Sequence, residues 1–225
     1  MLKLRSERTR SAPAPDLVQK SSFSQTKGTA VDSKQVLITI AGVEAKVGAT
    51  HLALSLALKA SQCDMNCAVI IAPESFEALK QYYFLSVHEI LGEGQSSEAR
   101  QFATFAGLNI MTGILPGDLE GFRLVIWDCG RLPQAQRRFL SGDLCCLLSG
   151  GQAWELGPLN EVLMNLSYEE LNRYLVCIRG AAESELDHLQ QQMAGKLACI
   201  NIMHKPDWSD VALREDLVAI LRYAD

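Results

Sequence analysis

Val36-Leu37-Ile38-Thr39-Ile40-Ala41-Gly42-Val43-Glu44-Ala45-Lys46-Val47-Gly48-Ala49-Thr50-His51-Leu52-Ala53-Leu54 is the stretch from which the fold can be read. A β-branched run leads into a loop of small residues, and the loop leads into a leucine- and alanine-rich run of helical character. In a strand–loop–helix step of this kind, loop N–H groups and the helix N-terminus converge on one place suited to an anion. Phosphate-binding loops are built on this layout.

The same alternation continues along the chain. Apolar runs predict strands over 36–41, 67–71, 108–111, 123–130, 144–148, 174–178 and 197–202. Helices are expected over 49–61, 75–91, 133–140 and 153–166. A further helix is built on Leu186, Leu189 and Met193, and a last one on Leu213, Leu217 and Leu221. The polar stretch 93–106 reads as loop plus a short helix. The 49–61 helix is apolar almost all round, which predicts burial. Continuous apolar strands, each followed by a helix, imply a parallel sheet covered on both faces. With right-handed crossovers this is a doubly wound, mostly parallel α/β domain. Ligands of such sheets bind beyond the carboxyl ends of the strands. The candidate segments there are 42–51, 72–74, 128–130, 149–151, 179–180 and 204–207.

Residues 42–51 resemble the deviant P-loop of the ParA/MinD (SIMIBI-class) ATPases, whose pattern is S-G-K-G-G-V-G-K-T-T. Val47, Gly48 and Thr50 match it. Val43, Glu44, Ala45, Lys46 and Ala49 stand where the pattern has Gly, Lys, Gly, Gly and Lys. The apolar run ending in Asp128-Cys129-Gly130 resembles a Walker B strand running into a switch II segment, and 147–156 resembles the strand-to-helix step that follows. The resemblance spans about residues 36–223. It implies ATP and Mg²⁺ as cofactors, with Lys46, Val47, Gly48, Ala49, Thr50 and His51 around the nucleotide and with Thr50 and Asp128 on the metal. It also implies that 179–180 and 204–207 lie near the base. TadZ-like members of the family, which localise pili, have atypical P-loops of this general kind.

A working phosphate loop needs glycines that let the backbone approach, a Lys on the β/γ oxygens and a hydroxyl on Mg²⁺. Thr50 has two readings, a helix N-cap or a metal ligand. Ala49 has no charge to offer a phosphate. Lys46 either reaches the phosphate or points outward. Glu44 stands where the family's signature Lys crosses to a partner's nucleotide, and a carboxylate there repels a triphosphate. His51 either contacts an α-phosphate or polarises the helix end. Asp128, an acid closing a core strand, is hard to explain as packing. The family's water-orienting Asp after the second strand is replaced by Ala72-Pro73-Glu74, where Glu74 is the available substitute. Trp154 reads as a packing residue in a helix's first turn. No catalytic residue is assigned.

Residues 1–34 are rich in Ser, Ala, Pro and basic residues and poor in large apolar ones, which predicts a disordered tail ahead of a domain at 35–225. The tail has seven basic and three acidic residues. Its net charge of +4 leaves −9 on the rest of a chain whose total is −5. Such a tail is either a solvated extension or a contact for nucleic acid or an anionic membrane surface. It lacks the apolar core of a secretory signal. Most of the seven cysteines lie in apolar runs and read as reduced thiols of a cytoplasmic protein. Cys63 and Cys67 have no second pair, so zinc is not expected.

The resulting expectation is a nucleotide-binding or pseudo-ATPase switch or scaffold that positions a partner complex. Protein partners are expected, a homodimer is possible, and any membrane association runs through a partner. The alternatives are an active Mg-dependent ATPase in which Lys46 replaces the missing Lys, and a structural subunit without nucleotide.

Overall fold

The computed structural model describes residues 34–83, 87–89, 100–166, 173–192, 198–202, 211 and 214–224. The chain divides into two units, Met1–Ser33 and Lys34–Asp225, and all described residues belong to the second. Residues 1–33 of the expected tail, Met193, Leu213 and the 204–207 segment lie outside the described residues.

The strands are β1 (Val36–Gly42), β2 (Cys67–Ile70), β3 (Val87–Glu89), β4 (Gln101–Phe105), β5 (Leu108–Thr112), β6 (Leu124–Arg131), β7 (Leu144–Gly150), β8 (Tyr174–Arg179) and β9 (Ala198–Ile202). The helices are α1 (Ala49–Gln62), α2 (Pro73–Tyr83), α3 (Gln136–Phe139), α4 (Ala153–Met164), α5 (Glu183–Gln192) and α6 (Glu215–Ala224). One sheet holds all nine strands in the order β3-β4-β5-β2-β6-β1-β7-β8-β9. From β5 to β9 every pairing is parallel.

Strand alternation divides the core into two layers. Ile38, Ile40, Val69, Leu124, Ile126, Cys146 and Leu148 face α1, α2 and α6. Ala41, Ala68, Val125, Trp127, Cys145, Leu147 and Val176 face α3, α4 and α5. Both faces are therefore covered, as expected for a doubly wound sheet. Helix α1 is the most deeply set, with Leu52, Ala53, Leu54, Leu56, Ala57 and Ala60 all buried. Its apolar circumference leaves it no polar face to turn to solvent. Burying each leucine contributes about 1.5–3 kcal/mol, and Leu56→Ala would cost about 2–5 kcal/mol through the cavity left behind.

Four expectations need correction. The helix over 75–91 is the shorter α2, which opens with Pro73 in the first turn, where a missing N–H costs nothing; a strand at 87–89 follows. The described part of the stretch 93–106 forms β4 where a loop and a short helix were expected. β4 and β5 form an antiparallel hairpin in which Phe105 pairs with Leu108. Only Ala106 and Gly107 lie between them, at φ 48° and 83°. Two left-handed residues in a two-residue loop match the strand twist. The helix over 133–140 is a single turn at 136–139. Trp154 does not pack: it is 76% exposed on α4.

Candidate functional site

Period-2 alternation places Asp128. Leu124 and Ile126 point into the layer under α1, so Asp128 points to the same side, two residues nearer the strand's end. It emerges beside the first turn of α1. There the pairing of β1 with β6 shifts: Ile40 pairs with Asp128, but Ala41 pairs with Gly130. The extra residue is Cys129, buried in the opposite layer. Bulges often re-aim side chains beside functional sites. Gly130, at φ 83°, donates its N–H to Asp128 Oδ1 at 3.0 Å.

Asp128 is 1% exposed. Burial pushes its carboxyl above the ordinary 3.8, partly offset by the hydrogen bonds from Thr50 and Gly130. Thr50 Oγ1 donates to Asp128 Oδ2 at 2.5 Å. The single Thr50 hydrogen is thereby committed. Ser75 Oγ, 3.1 Å from Thr50 Oγ1, then acts as donor to the Thr50 lone pair. Ser75 lies in the first turn of α2, one residue beyond Ala72-Pro73-Glu74; Glu74 itself is exposed.

The loop before α1 is held at its base. Val43 donates its N–H to Leu148 O at 2.9 Å, and Leu132 donates to Gly42 O at 3.0 Å. Lys46 is exposed and left-handed at φ 65°. Val47 is buried against the core beneath it. Gly48 is the N-cap of α1, at φ 102° and ψ 24°, and no side chain caps the helix. The first helical bond runs from Leu52 N–H to Gly48 O at 2.9 Å. The N-cap reading of Thr50 is therefore overturned: Thr50 sits in the first turn with its hydroxyl on Asp128. Ala49 packs its methyl against the core, and His51 is partly buried in the same turn. Arg179, at the carboxyl end of β8, brings its guanidinium against Gly48, with Nη1 3.6 Å from where a Cβ on that glycine would lie.

Thr50, Ser75 and Asp128 thus meet at the head of α1, in reach of the loop backbone. The oxygens of Thr50 and Asp128 suit Mg²⁺, which takes one or two protein oxygens and completes its shell with water and phosphate. Among the described residues no cluster of three or more His, Cys, Asp or Glu could hold a metal unaided. Glu44 lies elsewhere. It lines a cavity of about 440 Å³ with Arg131, Pro133, Pro158 and Glu161, and none of residues 46–51 lines that cavity.

Comparison by sequence finds no matching family model and no matching curated protein. Comparison by structure does find matches. MinD in the MinC:MinD cell division complex of Aquifex aeolicus is similar over 84% of this chain and 95% of that one, with a TM-score of 0.60 and 12% identity. The fold is that of MinD and ParA. A plasmid partition protein from Borrelia burgdorferi B31, solved bound to AMPPNP, is similar over 84% of this chain and 99% of its own, with a TM-score of 0.55 and 17% identity. A ParA family ATPase from Chlorobium tepidum TLS matches over 85% and 93%, with a TM-score of 0.51 and 10% identity. The MinD/ParA architecture is thus present at identities where the fold carries the likeness. Within it, this chain has Ala at 49 and Glu at 44, where the ParA/MinD loop pattern has its two lysines.

Sequence reasoning missed Ser75 and the approach of Arg179 to Gly48. A serine in the first turn after the second strand was a readable signal. The Arg179 contact was not, because it depends on β8 lying two strands from β1 with its end level with the loop.

Proposed function

We propose that this chain is a nucleotide-responsive switch or scaffold of the MinD/ParA kind, with a weakened ATP and Mg²⁺ site, that positions a partner complex. The observation that carries the reading is the Thr50–Asp128 hydrogen bond at the head of α1. It brings together the hydroxyl and carboxylate that a magnesium–phosphate pair would use, in a loop whose position 49 has no cation. Loss of that lysine removes charge-assisted bonds to the β/γ oxygens. Glu44 and the missing Asp after β2 argue against efficient hydrolysis. The solved MinD complex and the AMPPNP-bound partition protein support protein partners and ATP as the cofactor. Residues 1–34 would add a basic arm, and dimerisation belongs to the same proposal. Among the described residues no helix is long and apolar enough to cross a membrane, which accords with any membrane contact being made through a partner.

The test is binding of a fluorescent ATP analogue with and without Mg²⁺, paired with a phosphate-release assay. Expected are weak binding strengthened by Mg²⁺ and phosphate release at background. Sustained turnover would favour a true ATPase, and absence of binding would favour a structural subunit.

A further inference from the structure

The loop lacks its lysine, yet a cation is present. Arg179 ends β8 and pairs in register with Gly150 of β7. That register sets its side chain over the start of α1, where Nη1 lies against Gly48. Gly48 has no side chain, so the guanidinium has open access to the loop backbone. On its other side Arg179 Nη2 is 4.0 Å from Glu155 Oε1, both side chains being about a quarter exposed (27% and 22%).

Glu155 is held firmly by other means. It occupies the third position of α4, where Oε2 accepts the Gln152 N–H at 3.0 Å in a reciprocal capping box. Its carboxylate lies over Gly150, where any Cβ would coincide with it. The two ends of the ion pair therefore differ. Glu155 is fixed by the helix cap and by Gly150. Among the described residues, Arg179 is held only by a 4.0 Å contact, too long for a hydrogen bond. A partly exposed pair of this kind is worth at most about five-fold in an equilibrium constant.

We propose that Arg179 is the phosphate-binding cation of this site, replacing the absent lysine from a different strand, and that Glu155 restrains it when no phosphate is bound. The inference rests on the nucleotide-site reading above. A polyphosphate over the loop offers a guanidinium two oxygens in its own plane, a better match than a carboxylate oxygen at 4.0 Å. Binding exchanges the weak contact for a strong one, and Glu155 sets how much of the gain is spent on release.

The test is titration of MgATP and of inorganic tripolyphosphate into wild type, Arg179→Ala, Arg179→Lys and Glu155→Gln. Gln preserves the capping box, so Glu155→Gln removes the charge and leaves α4 intact. Arg179→Ala should weaken both ligands by about ten- to a hundred-fold, Arg179→Lys should restore part of that loss, and Glu155→Gln should tighten both by about two- to five-fold. If wild type binds both ligands and Arg179→Ala binds them equally well, the assignment is overturned while the nucleotide site stands. If Arg179→Ala weakens ATP but not tripolyphosphate, Arg179 serves the base or sugar and the proposal fails. If wild type binds neither, the nucleotide reading falls and takes this one with it.

Discussion

Thr50 Oγ1 donates to Asp128 Oδ2 at 2.5 Å, which ties the first turn of α1 to the carboxyl end of β6. Both residues belong to the layer that buries α1, so the link sits at the edge of a dry core, where Asp128 is 1% exposed. The carboxylate accepts two hydrogen bonds there, from Thr50 and Gly130, and no cation is paired with it among the described ion pairs. Burial of an unpaired acid costs stability, and a bound cation would offset that cost.

Asp128→Asn is expected to stabilise the protein. The raised carboxyl value means that ionised Asp128 costs more in the native than in the unfolded state, where it titrates near 3.8. The penalty applies in full at neutral pH. As pH falls through the raised folded value, the native state takes up a proton before the unfolded state does, so wild type gains stability down to about 3.8. Urea midpoints followed from neutral pH downward should show the variant ahead at first and the gap closing on acidification. A wild type that loses more stability on acidification than the variant would contradict this sign.

The same carboxylate should control magnesium. Asp128→Ala is expected to abolish the Mg²⁺ dependence of ATP binding while leaving any metal-free binding in place. Titrations with Mg²⁺ and with EDTA measure this. Tight binding indifferent to Asp128 would put the nucleotide elsewhere.

Ala49→Lys is expected to raise ATP affinity without giving family-like hydrolysis. The lysine adds a bond used in ground and transition states alike, which chiefly improves binding. In the proposed reading, Glu44 stands where the ParA/MinD pattern has its signature Lys, and a trans-acting cation is worth about 10³–10⁵ in rate. Arg179 also stands close to Gly48, so the gain should be larger in an Arg179→Ala background. Affinity and single-turnover phosphate release for Ala49→Lys, with and without Glu44→Lys and Arg179→Ala, test both statements. Full turnover in the single variant would refute the role given to Glu44.

The seven thiols should divide by burial. All are free, and Cys63 is the exposed one. Burial pushes Cys67 and Cys199 up to about 11 and Cys129 up to about 12, which leaves little thiolate at neutral pH. A thiol reagent should label one site rapidly in the native protein and the rest only on unfolding. Cys63→Ser should remove the rapid phase, and its survival in that variant would show that the core opens.

Gly151 should resist substitution. A Cβ there would lie 2.5 Å from the Ala181 backbone nitrogen, so Gly151→Ala must part the ends of β7 and β8, at a cost of about 1–3 kcal/mol. Trp154→Ala, by contrast, should change stability by less than about 0.5 kcal/mol, because that ring is 76% exposed. Paired thermal melts give the comparison.

The parallel core was legible in the chain because its strands are buried on both faces and so are apolar throughout, and because each is followed by a helix. β1, β6, β7 and β8 are where their apolar runs lie. The loop before α1 and the acid at 128 were legible for a related reason: small residues between a strand and a helix, and a charge closing a core strand, are locally unusual. The β3–β4 edge was not, since Gln101–Phe105 is short and partly polar and becomes a strand by pairing with Leu108–Thr112, a strand that its own apolar run did mark. The duty of Thr50 was not legible either. Its hydroxyl can cap a helix or reach across it, and the choice depends on Asp128, 78 positions away, being aimed at α1 by the alternation of β6 and its place beside β1. Arg179 shows the same limit. Sequence places it at the end of a strand, while the register of β8 against β7 sets its guanidinium on Gly48. Local pattern determines which residues form strands and helices because burial acts on each segment separately. Which side chains meet at the strand ends is decided by strand order and register, and those are properties of the whole sheet.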